Sequence, residues 1–237
     1  MDDPELQAIE FIKSSKNELC KHFASLTIYP TILKPSSYFM AGSPGAGKTE
    51  YSKYFIKLLT QKHPERKIVR IDADEIRDYI PFYNRKNAFQ MQRAASLGVE
   101  KLLDFVLKKG QDFVLDGTFA FEKSLSNIKR CLDKKRDVSI QYLYQDPILA
   151  WEFTKKREAL DGRRVPKKMF ISAFFDAKNN VNQAKKIFGK RIELDLIIKN
   201  FEQGVEKSHF NIDNVDGYLK MMYTSDSLNK QLTENNV

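Results

Sequence analysis

A glycine-rich segment between an apolar stretch and an amphipathic one constrains this chain more than any other feature. It reads Gly42-Ser43-Pro44-Gly45-Ala46-Gly47-Lys48-Thr49 and fits the pattern G-x-x-x-x-G-K-[ST]. Residues 38–41 before it predict a strand, and residues 47–59 after it predict a helix. Glycines let successive backbone N–H groups face phosphate oxygens, and the start of the helix adds its positive dipole end. The segment therefore predicts a phosphate-binding loop for ATP, with Lys48 on the phosphates and the Thr49 hydroxyl on Mg²⁺.

Short apolar runs alternate with longer amphipathic stretches along the rest of the chain. The runs predict strands at residues 67–71, 113–115, 138–144 and 194–198, and a long helix is predicted over residues 86–108. Because helical stretches separate the strands, neighbouring strands are expected to be parallel. The pattern predicts an α/β fold with a three-layer parallel sheet, a kinase-type P-loop NTPase with extra N- and C-terminal helices.

The chain carries no Gly/Ser linker, so one domain with appended ends is expected. Residues 1–35 predict a helical lead-in packed on the core. Residues 36–224 would form the kinase domain. Residues 225–237 are polar and are expected to be frayed.

The chain has 237 residues, with 40 Lys and Arg against 31 Asp and Glu and a formal net charge of +9. That surplus suits nucleic acid, an anionic membrane surface or phosphorylated small molecules. No aromatic-interleaved basic stripe or known nucleic-acid module occurs in the sequence, so a nucleotide-type small-molecule acceptor is expected rather than a nucleic-acid partner.

The sequence also bears on where the protein acts. Cys20 and Cys131 lie far apart in sequence and match neither the spacing of a metal-ligand pair nor a disulfide framework, which favours a reducing compartment. The first five residues are acidic, and no apolar run approaches the roughly 20 residues of a membrane span. We expect a cytoplasmic protein without a membrane partner.

Carboxylates follow two of the predicted strands. Asp72 and Asp74 come after the second strand, and Asp116 comes after the third, followed by Gly117 and Thr118. Ligands of open α/β sheets bind at the carboxyl edge, where a kinase needs a carboxylate to accept the proton of the attacking hydroxyl. Asp74 is the stronger candidate for this base, because Asp72 is as well explained as a helix cap. Asp72, Asp116 and Thr118 are candidates for contacts with the acceptor.

Arginines occur where a mobile segment of such a kinase would close over the triphosphate. Arg157 lies on a predicted helix, and Arg163 follows in a break rich in cations. Arginine suits this role because its planar fork stays charged and can bind phosphate through two hydrogen bonds. We expect both arginines to neutralise charge on the transferring phosphoryl group.

The ordered set of motifs resembles the zeta toxin family of P-loop kinases, over residues 38–204. The motifs are residues 42–49, Ile71-Asp72-Ala73-Asp74, Val114-Leu115-Asp116-Gly117-Thr118, Arg157 and Arg163-Arg164-Val165-Pro166. The resemblance implies phosphorylation of UDP-N-acetylglucosamine by ATP, with Asp74 as the base and Arg157 and Arg163 as the phosphate clamp. It also implies that Glu100, otherwise an ordinary helical surface residue, joins Thr118 in the sugar-nucleotide pocket, and that a separate antitoxin protein is a possible partner.

The sequence departs from the family pattern on the acceptor side. Asp116 replaces a glutamate, Ala120 stands where members often carry arginine, and Ile80-Pro81 replaces a common His-Pro. Relatives of the family phosphorylate other acceptors, including NAD. Three alternatives therefore stay open: a kinase of NAD or a nucleoside, a kinase of polynucleotide 5′-hydroxyls, and a nucleotide-controlled binding protein that hydrolyses ATP slowly.

Overall fold

The apolar runs form the strands of one sheet. In this computed structural model, residues 3–200, 204–219 and 223–232 are described. The strands are β1 (Ser36–Ala41), β2 (Ile68–Asp72), β3 (Asp112–Asp116), β4 (Asp137–Tyr144), β5 (Glu193–Asn200) and β6 (Gly204–His209). The helices are α1 (Pro4–Ser14), α2 (Lys16–Ala24), α3 (Lys48–Lys62), α4 (Ala73–Asp78), α5 (Gln92–Lys109), α6 (Lys123–Asp133), α7 (Pro147–Asp161), α8 (Lys167–Phe188) and α9 (Ser225–Gln231).

The order of the strands places β1 in the interior of the sheet. Across the described residues the order is β2-β3-β1-β4-β5-β6, and the first five strands are parallel. On β1, Phe39 lies opposite Leu115 of β3 and Ile140 of β4. The carboxyl ends of β1, β2 and β3 consequently meet at one edge, where an open α/β sheet binds its ligand.

Strand β6 was not among the predicted strands. It pairs antiparallel with β5 at the edge of the sheet and reads Gly-Val-Glu-Lys-Ser-His. Its one apolar residue, Val205, is exposed. An edge strand with a single apolar side chain carries no hydrophobic alternation, so sequence periodicity gives no signal for it.

The predicted helix at residues 86–108 begins later than expected. Helix α5 starts at Gln92, because the preceding segment forms turns. Asn84 Oδ1 accepts hydrogen bonds from the backbone N–H groups of Lys86 and Asn87, and Arg85 has φ +68°. Asparagine side chains that bond the local backbone compete with the helix in this way.

The lead-in helices α1 and α2 pack on α5. Ile12 and Leu19 are fully buried there. A Cβ added to Gly98 of α5 would lie 2.5 Å from Ile76 Cγ2 of α4, whereas Ile12 Cδ1 and Leu19 Cδ2 would be at ordinary contact distances of 3.6 and 3.7 Å. The missing side chain at Gly98 therefore lets α4 lie close to α5, while α1 and α2 pack beside the same position.

The polar C-terminal segment differs from the frayed end that was expected. Residues 225–231 form α9, which starts with a capping box between Thr224 and Ser227. Leu228 and Leu232 are buried in a cluster with Trp151 and Phe170. Two apolar contacts and a cap thus order this helix, whereas residues 233–237 lie outside the described part of the chain.

No described helix is both long and apolar enough to cross a membrane.

The packing of α1 predicts that the lead-in unfolds together with the sheet. Replacing the fully buried Ile12 by alanine should lower the free energy of unfolding by about 2–5 kcal/mol, because it leaves a cavity against α5. Urea unfolding followed by circular dichroism measures this change. The control is Leu6→Ala on the same helix, where Leu6 is 62% exposed and a change of less than about 0.5 kcal/mol is expected. Equal stabilities of the two variants would contradict the prediction.

Candidate active site

The loop that follows β1 depends on glycine. Gly42 has φ +138° and Gly45 has φ +74°, a region that other residues rarely adopt. A Cβ on Gly45 would lie 2.0 Å from the carbonyl oxygen of Ala150 in α7, and one on Gly42 would lie 2.4 Å from that of Leu143. The glycines therefore allow the loop to turn while it lies directly against β4 and α7.

Lys48 is held by the loop itself. Its Nζ donates to the carbonyl oxygens of Gly42, at 3.0 Å, and Ser43, at 2.7 Å. Burial lowers the pKa of Lys48 to about 8, although the neighbouring Asp116 carboxylate opposes the shift. The ammonium group is thus fixed beside the loop, where burial strengthens its attraction to an anion.

A cavity of about 630 Å³ opens in front of the loop. The predicted site residues that line it are Pro44, Gly45, Ala46, Gly47, Lys48, Thr49, Asp72, Asp74, Asp116, Thr118 and Arg157. Gly42 and Ser43 form the start of the loop behind this lining. Arg163 lines a smaller adjoining cavity that also includes Asp74. Eleven of the predicted residues thus share one cavity, and Arg163 lies next to it.

Asp72 and Asp74 have different surroundings although they are two residues apart. Asp72 is buried and caps α4, accepting a hydrogen bond from the Asp74 backbone N–H at 2.8 Å. Burial raises the pKa of Asp72 to about 6, while the paired Arg70 opposes the rise. Asp74, the first acidic residue inside α4, keeps 36% of its side chain exposed. Asp74 is therefore more accessible from the cavity than Asp72.

Two arginines contact the Asp74 carboxylate. Arg77, one turn later on α4, donates to Oδ1 at 2.5 Å and is itself held by Gln92, 2.6 Å away. Arg163, from the segment after α7, pairs with Oδ2. The predicted base and one of the predicted phosphate-clamping arginines are therefore in direct contact.

Arg157 reaches the cavity from α7. Its Nε is buried and finds no hydrogen-bond acceptor among the described residues. A buried guanidinium N–H without an acceptor is costly. An anion in the cavity would supply oxygen acceptors to this side chain.

The turn after β3 is tied to the rest of the site. Asp116 Oδ2 accepts a hydrogen bond from Ser52 Oγ at 2.8 Å and pairs with Arg70. The Thr118 carbonyl oxygen accepts from the Gly42 N–H at 3.0 Å, and Thr118 Oγ1 accepts from the Ala120 N–H at 3.3 Å. Asp116 therefore stabilises the protein on one side while it lines the cavity on the other.

Glu100 is the predicted site residue that the structure does not bring into the cavity. It lies on α5 with a half-exposed side chain and pairs with Lys123 of α6. The sequence offered two interpretations of Glu100, and its surroundings are those of a surface glutamate in an ion pair. The expected contact with a sugar nucleotide has no counterpart in the lining of the cavity.

Several cavity residues were missed by sequence reasoning. Lys199, at the end of β5, lies so close to the loop that a Cβ on Gly47 would be 2.5 Å from its Nζ. Phe153 and Lys156 line the cavity from α7. The rule that ligands bind at the carboxyl ends of strands could have found Lys199. The other two carry no distinguishing signal, because one helix face holds many similar residues.

Thr49 supplies a hydroxyl oxygen at the phosphate end of the cavity, a donor type that Mg²⁺ accepts. In the described ranges no cluster of three or more His, Cys, Asp or Glu side chains could hold a metal ion. Magnesium commonly binds with one or two protein ligands together with substrate phosphates, so Thr49 fits such an ion without a dedicated protein cage.

Comparison with solved structures supports the fold. A chain of the PezAT chromosomal toxin–antitoxin system of Streptococcus pneumoniae is 18% identical, with 93% of this chain and 87% of that chain covered and a TM-score of 0.57. A chain of the AvrRxo1-ORF1:-ORF2 complex with ATP is 15% identical, with coverages of 97% and 74% and a TM-score of 0.62. At these identities the likeness concerns the fold, and it confirms the predicted α/β class.

Comparison with sequences gives the family. A search of curated proteins finds no match. The family model described as Zeta toxin matches residues 21–211, which is most of the chain. The match includes the phosphate-binding loop, the two strand ends with their carboxylates, and both arginines. The predicted resemblance is confirmed: the chain belongs to the zeta toxin family.

Proposed function

We propose that this protein is a kinase that transfers the γ-phosphate of ATP to a hydroxyl of a nucleotide sugar of the UDP-N-acetylglucosamine type. One observation carries the proposal: Lys48, Asp74 and Arg157 line the same cavity, with the phosphate-binding loop on one side. A triphosphate on the loop and a hydroxyl at Asp74 would then be neighbours. Family membership supports phosphoryl transfer as the reaction.

The nucleotide side is built to bind negative charge. The backbone N–H groups of the loop and the start of α3 would hold the phosphates, with Lys48 donating to the β- and γ-phosphate oxygens. Mg²⁺ held by Thr49 and the phosphates would supply further neutralisation of charge. Arg157 would donate to the γ-phosphate, since its Nε has no acceptor within the described residues. A solved AvrRxo1-ORF1:-ORF2 complex contains ATP, which supports this nucleotide.

The acceptor side uses Asp74. Its carboxylate would take the proton from the acceptor hydroxyl as that oxygen forms its bond to the γ-phosphorus. The bond from the γ-phosphorus to the bridging oxygen breaks, and ADP leaves with that electron pair. Arg163 contacts Asp74 from the adjoining cavity, and its guanidinium would stabilise the negative charge that moves from the carboxylate to the phosphoryl group during transfer. Arg77 would keep the carboxylate in place.

The acceptor pocket would be formed by Asp116 and Thr118. The predicted acceptor contact of Asp72 is left out, because its two oxygens are already bonded to Arg70 and to the Asp74 N–H. Glu100 is left out of this proposal because its side chain pairs with Lys123 outside the cavity. Asp116 is shared with Arg70 and Ser52, so only part of its hydrogen-bonding capacity remains for an acceptor. NAD, nucleosides and polynucleotide 5′-hydroxyls are the alternative acceptors, and slow ATP hydrolysis by a binding protein is the alternative activity.

We also propose a protein antitoxin as a partner. The support is that one structural neighbour belongs to a toxin–antitoxin system and that another is a two-protein complex. Such a partner would act most directly by covering the nucleotide cavity.

The decisive experiment offers the protein γ-labelled ATP with separate acceptors. The acceptors are UDP-N-acetylglucosamine, other UDP-sugars, NAD, nucleosides and 5′-hydroxyl oligonucleotides, and Lys48→Ala serves as the blank. Transfer to a UDP-sugar supports the proposal. Transfer to oligonucleotides alone, or phosphate release without a labelled acceptor, would overturn it.

Asp74→Asn tests the base directly. Transfer should fall by about 10²–10⁴-fold, the usual contribution of a general base, whereas ATP affinity should stay nearly unchanged. Initial rates with the labelled acceptor and calorimetric ATP titration measure the two quantities. Asp133→Asn, at an exposed position of α6, is the matched control and should keep the parent rate. Unchanged transfer by the Asp74 variant would remove the assignment.

The lowered pKa of Lys48 predicts that ATP binding weakens in mild base. The triphosphate prefers the charged ammonium form, which is lost as pH rises through about 8. Affinity should therefore be highest below pH 8 and fall by about tenfold per pH unit above it, as linkage to one proton requires. Phosphate monoesters lose their second proton near pH 6, so ATP itself stays fully ionised over this range.

Calorimetric titration with ATP between pH 7 and 9.5 at fixed Mg²⁺ measures the effect. Lys48→Met is the control and should bind ATP weakly with no such pH dependence. Parallel curves for the two proteins would show that Lys48 does not titrate in this range.

A further inference from the structure

Arg70 is a buried arginine that contacts three carboxylates. It lies on β2 with only 10% of its side chain exposed. Its guanidinium pairs with the carboxylates of Asp72, Glu75 and Asp116, and its Nε donates to Ser52 Oγ at 3.0 Å. The cavity lining does not include Arg70, so its role must be exerted through these partners.

The partners of Arg70 come from three different elements of the site. Ser52 is on α3, the helix that begins at Lys48. Asp116 ends β3, next to the turn with Thr118. Asp72 and Glu75 belong to the start of α4, which carries Asp74. One guanidinium therefore connects the helix of the phosphate-binding loop to the helix of the proposed base.

Arg70 is connected to the backbone of Asp74 through the Asp72 carboxylate. Asp72 Oδ2 pairs with Arg70, and Asp72 Oδ1 accepts from the backbone N–H of Asp74. The same side chain is thus held at one oxygen and caps α4 with the other. A cap fixes the direction of the first helical turn, where Asp74 lies.

The carboxylates of Asp72 and Asp116 lie close together and need a cation between them. Asp72 and Asp116 are directly opposite each other in the parallel pairing of β2 and β3, where neighbouring strands are about 4.8 Å apart. Both side chains are at least 90% buried, so their mutual repulsion is weakly screened. Without Arg70 the two carboxylates would move apart, and Asp72 would leave the Asp74 N–H.

We infer that Arg70 is a positioning residue. Through Asp72, Asp116 and Ser52 it holds Asp74 at a fixed position relative to the phosphate-binding loop. This inference rests on the proposed kinase function. Arginine is suited to the role because its planar fork donates in several fixed directions at once, whereas a lysine ammonium is a single point charge.

A nearby ion pair provides a matched control. Arg66 donates through Nε and Nη2 to the two oxygens of the buried Asp112, at 2.7 and 2.8 Å. This pair also joins the β2 region to β3, but at the opposite end of the strands from the cavity. Arg66→Met should therefore lower stability while it leaves the transfer rate of the folded protein unchanged.

The test uses Arg70→Met, Asp72→Asn and the double variant that carries both of these changes. Arg66→Met is the control. Transfer from ATP to UDP-N-acetylglucosamine gives kcat and the KM for ATP well below each melting temperature. Arg70→Met should lower kcat by about 10²-fold, the effect of an ångström-scale misplacement, with an almost constant KM for ATP. The double variant should recover most of this loss, because asparagine caps a helix as well as aspartate and carries no charge to repel Asp116.

A second readout does not depend on any acceptor. Hydrogen exchange of the Asp74 amide, followed by NMR, should accelerate in Arg70→Met and return towards the parent rate in the double variant. If the parent protein transfers phosphate to no acceptor, the proposed function is refuted. The exchange rate of the Asp74 amide would still test the role of Arg70. The inference is overturned if the Asp74 amide of Arg70→Met exchanges at the parent rate. It is also overturned if Arg70→Met loses no more kcat than Arg66→Met, or if the double variant shows the same loss of kcat as Arg70→Met.

Discussion

The close contact between the phosphate-binding loop and α7 is the constraint on which the site depends. Gly45 passes so near the Ala150 carbonyl that any side chain would collide with it. Ala150 and Arg157 are seven residues apart on α7 and so lie on the same face, two turns apart. The glycine that shapes the loop therefore also determines where Arg157 of α7 lines the cavity. A substitution that pushed α7 away would damage both parts at once.

Lys48 and Asp74, two charged residues of the site, are held by contacts within the protein. Lys48 donates to loop carbonyls, and Asp74 contacts Arg77 and Arg163. A buried charge without a partner is costly, so such pairing allows a polar site to exist inside the fold. In the proposed reaction, substrates would replace some of these contacts as they bind, and phosphoryl transfer would reuse charges that already stabilise the protein.

The sequence predicted the parts of the fold that obey local rules. The loop has a strict pattern, and the five parallel strands are apolar runs because helices cover both faces of the sheet. Strand β6 and helix α9 were missed because their stability comes from tertiary contacts, such as Leu228 packing near Trp151, rather than from periodicity. Local patterns therefore describe the interior of this sheet better than its edge.

The candidate site shows the same division. The loop and Asp74 follow from motif and strand-end rules, and Arg157 was predicted from the cation-rich segment after the fourth strand. The surface pairing of Glu100 and the burial of Arg70 among carboxylates depend on which helices and strands become neighbours, which no spacing in the sequence reveals. The buried ion pairs were thus the least predictable part of the site.

The apolar cluster formed by α7, α8 and α9 contains a residue whose fluorescence can be followed. Trp151 is the single tryptophan of the chain, and it is 4% exposed. Its ring lies 5.1 Å from that of Phe170 on α8, and the Lys155 ammonium lies 5.7 Å from its centre. Tryptophan emission responds to the polarity and charge around the indole. The protein therefore contains its own optical reporter, on the same helix as Arg157 and at the junction of α7 with α8.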